Sequence, residues 1–269
     1  MTVLISLSSF GASEVRRHGQ LWFTRLAQQA GADGVEVRGE LLVDAPSELP
    51  ALAAAVSEAG LQAVYSSPQG LWAEDGSLDQ PALERALSAT AALGARRLKM
   101  AIGAFGAASC PSLPGLRQRL LEAGTELLIE NDQTEAAGTL PPLLAFFAAA
   151  DECGLDLGMT FDMGNWHWLG ESPLEAGRAC AARVRYVHCK GVQRQPGRWV
   201  AVPLADSAAP WRAVLRGLPA EVPWAIEYPL VGDDLLAVTR AEVEWLRGVK
   251  AQMVPHPPLL APSLSPVRS

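Results

Sequence analysis

Short β-branched or apolar runs alternate with Ala- and Leu-rich stretches along almost the whole chain, and this alternation leaves few architectures open. The runs fall at Val3–Leu7, Gly34–Val37, Gln62–Tyr65, Arg97–Ile102, Glu126–Glu130, Leu157–Asp162, Val184–His188 and Trp224–Glu227, which makes eight candidate strands. Between them, Leu21–Ala30, Leu49–Ala59, Pro81–Leu93, Leu140–Cys153 and Leu174–Ala182 have helical spacing. Regular strand and helix alternation implies a parallel sheet, because each helix carries the chain back to start the next strand in the same direction. Ala30-Gly31, Ala59-Gly60, Leu93-Gly94 and Cys153-Gly154 each place Gly just past the last apolar helical residue, where a left-handed conformation closes a helix. Units of about 30 residues suit eight βα repeats, so the expected fold is α/β, a (β/α)8 TIM barrel. An open doubly wound sheet is the structural rival. No G-x-G-x-x-G follows the first strand, which favours the barrel.

A length of 269 residues suits one such barrel, and 49% hydrophobic with 19% charged residues is the composition of a folded globular chain. The net charge of -7, with no run of Lys and Arg, sets the field against nucleic acid and anionic membrane. Met1 to Phe10 is apolar but carries no basic leader and is too short to span a bilayer, so it reads as a first strand rather than a signal. Cys110, Cys153, Cys180 and Cys189 are spread out with no C-x-x-C pair, which fits reduced thiols and a cytoplasmic location. The barrel is expected over residues 1–252. From Met253 onward MVPHPPLLAPSLSPVRS holds five prolines and no periodicity, and residues 253–269 read as an extended tail without a catalytic role.

The strands of such a barrel converge at their C-terminal ends, so polar residues there are the candidates for chemistry. The fifth strand ends in Ile129-Glu130-Asn131, the sixth in Phe161-Asp162, the seventh in Val187-His188-Cys189-Lys190 and the eighth in Ile226-Glu227-Tyr228. One such carboxylate alone is as readily a solvated loop residue or a helix cap. Three carboxylates and an imidazole at one mouth are different, because they repel one another and resist desolvation unless a cation neutralises them. Oxygen and imidazole ligands without a thiolate suit a single divalent ion, Mn²⁺, Mg²⁺, Co²⁺ or Zn²⁺, and spacing does not choose among these.

The fragments GADGVEVR, LLIEND, TFDMGNWHW, VRYVHCKG and WAIEYP, in this order and spacing, resemble the xylose isomerase-like TIM-barrel superfamily over roughly Val3 to Val249. That superfamily includes sugar isomerases and ketose 3-epimerases, 3-dehydroshikimate dehydratases and AP endonucleases of family 2 type. The resemblance implies that Glu130, Asp162, His188 and Glu227 are metal ligands, and that Glu130 and Glu227 are also the acid/base pair. It further implies substrate contacts from Arg194, six residues after His188. Ketose epimerases and the dehydratases carry His three residues after the sixth-strand Asp, whereas Asn165 stands here, with His167 two places on as a substitute.

Lys99, ending the fourth strand, and Lys190, just after His188, could each hold a substrate carboxylate, phosphate or enediolate oxygen, against the alternative of a surface ammonium for Lys190. Glu36 ends the second strand and could pair with Arg38 or contact substrate, the ion pair being the expected role. Trp72, Trp166, Trp168 and Trp199 follow strands and could wall a sugar pocket, although packing is the commoner fate of each. Asn165, Trp166 and His167 therefore join Lys99, Lys190 and Arg194 as candidate substrate contacts. His18 and His256 are poorly placed to be ligands.

The resemblance implies an isomerase or epimerase acting on a keto-sugar or sugar-derived keto-acid through an enediolate. A 3-dehydroshikimate dehydratase would use the same metal and base, and Asn165 weighs against it. An AP endonuclease needs many imidazoles, yet the chain has four His and an acidic balance that opposes DNA. A non-catalytic sugar-binding barrel ranks low because both glutamates are present. A homo-oligomer is compatible with the exposed Trp and Leu content.

Overall fold

The computed structural model describes residues 1–253; residues 254–269, nearly all of the proline-rich segment, lie outside the described residues. The first half of the chain runs β1 (Val3–Ser6), α1 (Ala12–His18), α2 (Gln20–Gln29), β2 (Gly34–Arg38), α3 (Ala45–Glu58), β3 (Gln62–Trp72), α4 (Gln80–Ala92), β4 (Arg97–Gly103), α5 (Leu113–Ala123) and β5 (Glu126–Glu130). The second half runs α6 (Glu135–Gly138), α7 (Leu140–Glu152), β6 (Gly158–Asp162), α8 (Pro173–Cys180), β7 (Val184–Cys189), β8 (Gly191–Gln195), β9 (Arg198–Val202), α9 (Trp211–Arg216), β10 (Trp224–Ile226) and α10 (Leu235–Met253). Eight of the strands pair in parallel and close a barrel in the order β1-β10-β7-β6-β5-β4-β3-β2. The (β/α)8 fold read from the alternation is the fold observed. Gly31, Gly60, Gly94 and Gly154 all have positive φ and close their helices as expected.

Three strands depart from the expectation. β3 continues to Trp72 through an irregular register against β4. β8 and β9 form an antiparallel hairpin that stands apart from the barrel, turning at Pro196-Gly197. No helix among the described residues is long and apolar enough to cross a membrane.

Side chains alternate across a strand, so every second residue of a barrel strand faces the lumen. Leu4, Val64, Leu128, Tyr186 and Ala225 form a buried cluster of their own, separate from the larger cluster that includes the barrel–helix packing. Two residues further along the same strands come Ser6, Ser66, Glu130, His188 and Glu227. An apolar plug thus lies directly beneath a polar layer, and the period of two that builds the strands also builds the site.

Outside the barrel the Ala- and Leu-rich helices bury their apolar faces on the sheet. Phe146 of α7 is fully buried, its ring centroid 5.4 Å from Trp72, 5.0 Å from Phe105 and 5.4 Å from Phe147. Phe146→Ala should destabilise the protein by about 3–5 kcal/mol, the usual cost of removing a buried aromatic ring. Denaturant unfolding measures this directly, and a loss below about 1 kcal/mol would show that the cluster collapses around the gap.

Candidate metal centre

Strand register brings the four strand-end residues together. β6 and β7 pair Asp162 with His188, β5 and β6 pair Glu130 with Thr160, and the Glu227 amide donates to the Cys189 carbonyl at 3.1 Å. His188 Nδ1 lies 2.8 Å from Glu227 Oε2, 2.9 Å from Glu130 Oε1 and 3.6 Å from Asp162 Oδ2. One ligand atom from each residue lies within 4.8 Å of all the others. Bonds of about 2.0–2.2 Å to a shared ion keep two ligands within roughly 4.4 Å of each other, so the set closes on a cation with shifts of a few tenths of an ångström.

Three of these atoms, His188 Nδ1, Asp162 Oδ2 and Glu227 Oε2, are buried and make no hydrogen bond despite their short separations. Buried polar atoms are ordinarily satisfied. Atoms left unsatisfied around one point, and offering two carboxylate oxygens and an imidazole nitrogen, are what a hard or borderline divalent ion satisfies.

A second ring of residues orients the first. Glu36 Oε2 lies 2.7 Å from His188 Nε2. An ionised carboxylate only accepts, so Nε2 carries a proton and the Nδ1 lone pair is the one left for the centre. Asp162 Oδ1 accepts from the backbone of Gly164 and Asn165 at 2.8 and 2.9 Å, which fixes Oδ2 toward the same point. Asn131 braces the strand end, its side chain exchanging hydrogen bonds with the Asp162 backbone. Arg38 Nη1 lies 2.9 Å from both Glu36 Oε1 and Glu227 Oε1, and Lys99 Nζ lies 2.6 Å from Glu130 Oε2. Lys190 Nζ lies 2.7 Å from Asp162 Oδ2 and 2.9 Å from Glu227 Oε2.

These cations decide the ionisation of the cluster. Burial raises the carboxyl pKa of Glu36, but His188, Lys99 and Arg38 outweigh it and hold the group well below the usual range. Glu227 is held low in the same way, burial being overcome by His188 and Lys190, and Glu130 by Lys99 and His188. At Asp162 burial wins over Lys190, and its pKa rises. Burial also opposes the imidazolium of His188, yet Glu227 and Glu36 raise its pKa well above the ordinary value, so a cation held there would have to displace a proton from Nδ1.

The other sequence candidates are distributed as follows. Lys99 and Lys190 sit at the cluster. Asn165 is buried, its Oδ1 accepting from Lys190 Nζ at 3.1 Å and Gln133 Nε2 at 3.0 Å, its Nδ2 donating to the Asn131 carbonyl at 2.9 Å. Every polar atom of that amide is taken, so it braces Lys190. His167 is half-buried with Nε2 unpartnered and its ring 5.0 Å from Trp199; burial lowers its pKa. Arg194 is exposed on β8 with its guanidinium 5.8 Å from the Trp199 ring centroid. Trp166 is sealed against Phe161 at 5.5 Å, and Trp72 is buried with its indole N–H on Ser112 Oγ, both positions of packing. Glu36 pairs with Arg38 as expected. Its contact with His188 and the bridge from Arg38 to Glu227 were not anticipated, and neither was Gln133.

The family model described as Xylose isomerase-like TIM barrel matches residues 24–249. Among solved structures, L-ribulose 3-epimerase is 19% identical with a TM-score of 0.67, the alignment covering 94% of this chain and 96% of that one. The probable 3-DHS dehydratase from Bacillus anthracis is 14% identical with a TM-score of 0.68, covering 92% and 99%. A xylose isomerase domain protein from Planctomyces limnophilus is 18% identical with a TM-score of 0.66, covering 94% and 97%. At these identities the likeness is one of fold. No curated protein matches the sequence significantly. With the family model spanning most of the barrel, this chain belongs to the xylose isomerase-like TIM-barrel family.

Proposed function

We propose that the protein is a divalent-metal-dependent isomerase or epimerase acting on a keto-sugar or a sugar-derived keto-acid through an enediolate. The observation that carries this reading is the convergence of Glu130, Asp162, His188 and Glu227, three of whose ligand atoms are buried without hydrogen bonds. A divalent ion held there would supply Lewis acidity, lowering the cost of charge that develops on a substrate carbonyl oxygen.

The chain's own residues divide the remaining work. Asp162 and His188 are completely buried, whereas the side chains of Glu130 and Glu227 retain 15% and 9% exposure. The two glutamates are therefore the ligands that a substrate proton can reach. Both are held ionised by neighbouring cations, as a base must be. One glutamate takes the proton from the carbon α to the carbonyl, the C–H electron pair entering a C–C double bond as the carbonyl oxygen becomes anionic. The other glutamate draws a proton from solvent and delivers it to the opposite face or to the neighbouring carbon, and the first returns its proton to solvent. L-ribulose 3-epimerase and D-psicose 3-epimerase share this fold, which supports a small sugar-like substrate.

The test is a panel of ketoses and keto-acids incubated in deuterated water with Mn²⁺ or with EDTA. Deuterium should enter the α carbon only when metal is supplied. Turnover that survives chelation, or that proceeds without incorporation, would count against the reading. Formation of 3,4-dihydroxybenzoate from 3-dehydroshikimate would redirect it to a dehydratase.

A further inference from the structure

α10 runs from the mouth of the barrel to its floor. It begins at Leu235, shortly after β10, and near its end Lys250 Nζ donates to the carbonyls of Thr2 and Val222, which precede β1 and β10. Between these points Arg240 and Arg247 donate to the carbonyls of Gln29 and Gly31, which fixes the helix beside α2. Toward the mouth an open groove of about 720 Å³ lies between the two helices. Trp22, Leu26, Leu235 and Leu236 form its apolar wall, and Asp233 and Asp234 stand at its upper end. Arg25 offsets only one of these two acids. The Trp22 side chain is left 46% exposed, an uncommon state for so large an apolar surface.

The chain beyond Met253 leaves from the opposite end of α10, a helix of 19 residues and so about 28 Å long. A proline-rich chain advances about 3.1 Å per residue, and roughly nine residues past Met253 therefore regain the level of Leu235. Leu264 and Val267 lie beyond that minimum, which leaves slack for the turn away from the helix axis. Residues 254–269 hold no Asp or Glu and a single Arg, Arg268. They lack a helix or strand period, but a polyproline helix turns every three residues, and at that period Pro258, Ala261, Leu264 and Val267 share one face. We propose that this segment folds back along α10 and seats that face in the groove, with Arg268 at Asp233 and Asp234. The order along the segment, apolar face and then Arg268, is the order met along the groove, apolar wall and then acids. Aromatic-lined grooves take such segments because proline has already given up chain entropy that docking would otherwise cost. Trp22 supplies the flat surface, and Arg268 answers the surplus acid. Seated in this way, the segment straps α10 and the loop after Glu227 to α2.

Hydroxyl-radical footprinting of the full-length protein tests this, with oxidation of Trp22 read by peptide mass spectrometry. Leu264→Asp combined with Val267→Asp should speed Trp22 oxidation several-fold over the wild type. Arg268→Glu turns attraction at Asp233 and Asp234 into repulsion and should speed it in the same direction, more so at low salt. A chain ending at Met253 should match the double variant. If that shortened chain fails to fold, the double variant decides, since its changes lie outside the barrel. Equal oxidation rates in the wild type and the double variant overturn the proposal. Wild-type protection that fades on dilution also overturns it, and assigns the groove to a second copy of the chain.

Discussion

Glu130→Gln and Glu227→Gln are each expected to lower turnover on the order of 10²-fold or more while leaving the barrel folded. The scale is that of a general acid/base group removed from a working site. Gln keeps an oxygen of similar reach for the centre, so metal binding should weaken far less than turnover. The two variants should also differ from each other. Glu227 holds Arg38 on Oε1 and faces Lys190 on Oε2, whereas Glu130 holds Lys99 on Oε2. A neutral amide at 227 therefore loosens two cations, and a neutral amide at 130 loosens one. Glu227→Gln should lose more of its metal affinity than Glu130→Gln. Turnover should fall in both variants, and deuterium wash-in should fall with it in the variant that loses the glutamate taking the α-proton. Full activity in both variants would remove the glutamates from the chemistry. Loss of turnover with wash-in preserved in one variant would identify its glutamate as the group that returns the proton.

The strand ends were legible because each candidate ligand follows directly on an apolar run. Ile129-Glu130, Phe161-Asp162, Val187-His188 and Ile226-Glu227 announce themselves as polar residues where a buried strand stops, and a closed parallel barrel brings such ends to one rim. The residues that orient them were less legible because their partners are remote. Glu36 meets His188 across 152 positions, and Arg38 meets Glu227 across 189. In sequence, Glu36 and Arg38 look like a self-contained ion pair at i, i+2. Their shared lumen face was the available signal, since the same alternation that places Glu36 inside also places Arg38 there. The hairpin β8–β9 carried a signal as well: Pro196-Gly197 sits between two runs of alternating character, a recognised turn pattern. Asn165 illustrates the opposite limit. Its position after Asp162 was plain, but its role in bracing Lys190 depends on Gln133 and the Asn131 carbonyl, which only the folded loop supplies.

Glu36→Ala should be the most destabilising single change at the site, although Glu36 donates no atom to the centre. Its carboxylate is completely buried and lies 2.9 Å from Arg38 Nη1, 3.4 Å from Lys99 Nζ and 2.7 Å from His188 Nε2. Truncation strands three positively charged or polar groups in the lumen, and breaking a buried ion pair in this way costs about 3–5 kcal/mol. Arg38 and Lys99 retain Glu227 and Glu130 as partners, which places the expected loss toward the lower end of that range. Glu36→Gln separates charge from geometry. Its amide oxygen can still accept from His188 Nε2–H, so the imidazole keeps its tautomer and the Nδ1 lone pair stays on the centre. The amide cannot neutralise Arg38 and Lys99, so part of the stability should still be lost. Metal affinity should then fall by about 10–100-fold in Glu36→Ala, the usual effect of removing a group that orients a ligating His, and less in Glu36→Gln. Denaturant unfolding and Mn²⁺ titration of the two variants measure the two quantities separately. Wild-type stability in Glu36→Ala would mean that water takes over the stranded charges. Equal metal affinity in Ala and Gln variants would mean that the packing around Tyr186, 5.1 Å away centroid to centroid, holds the His188 ring without help from the carboxylate.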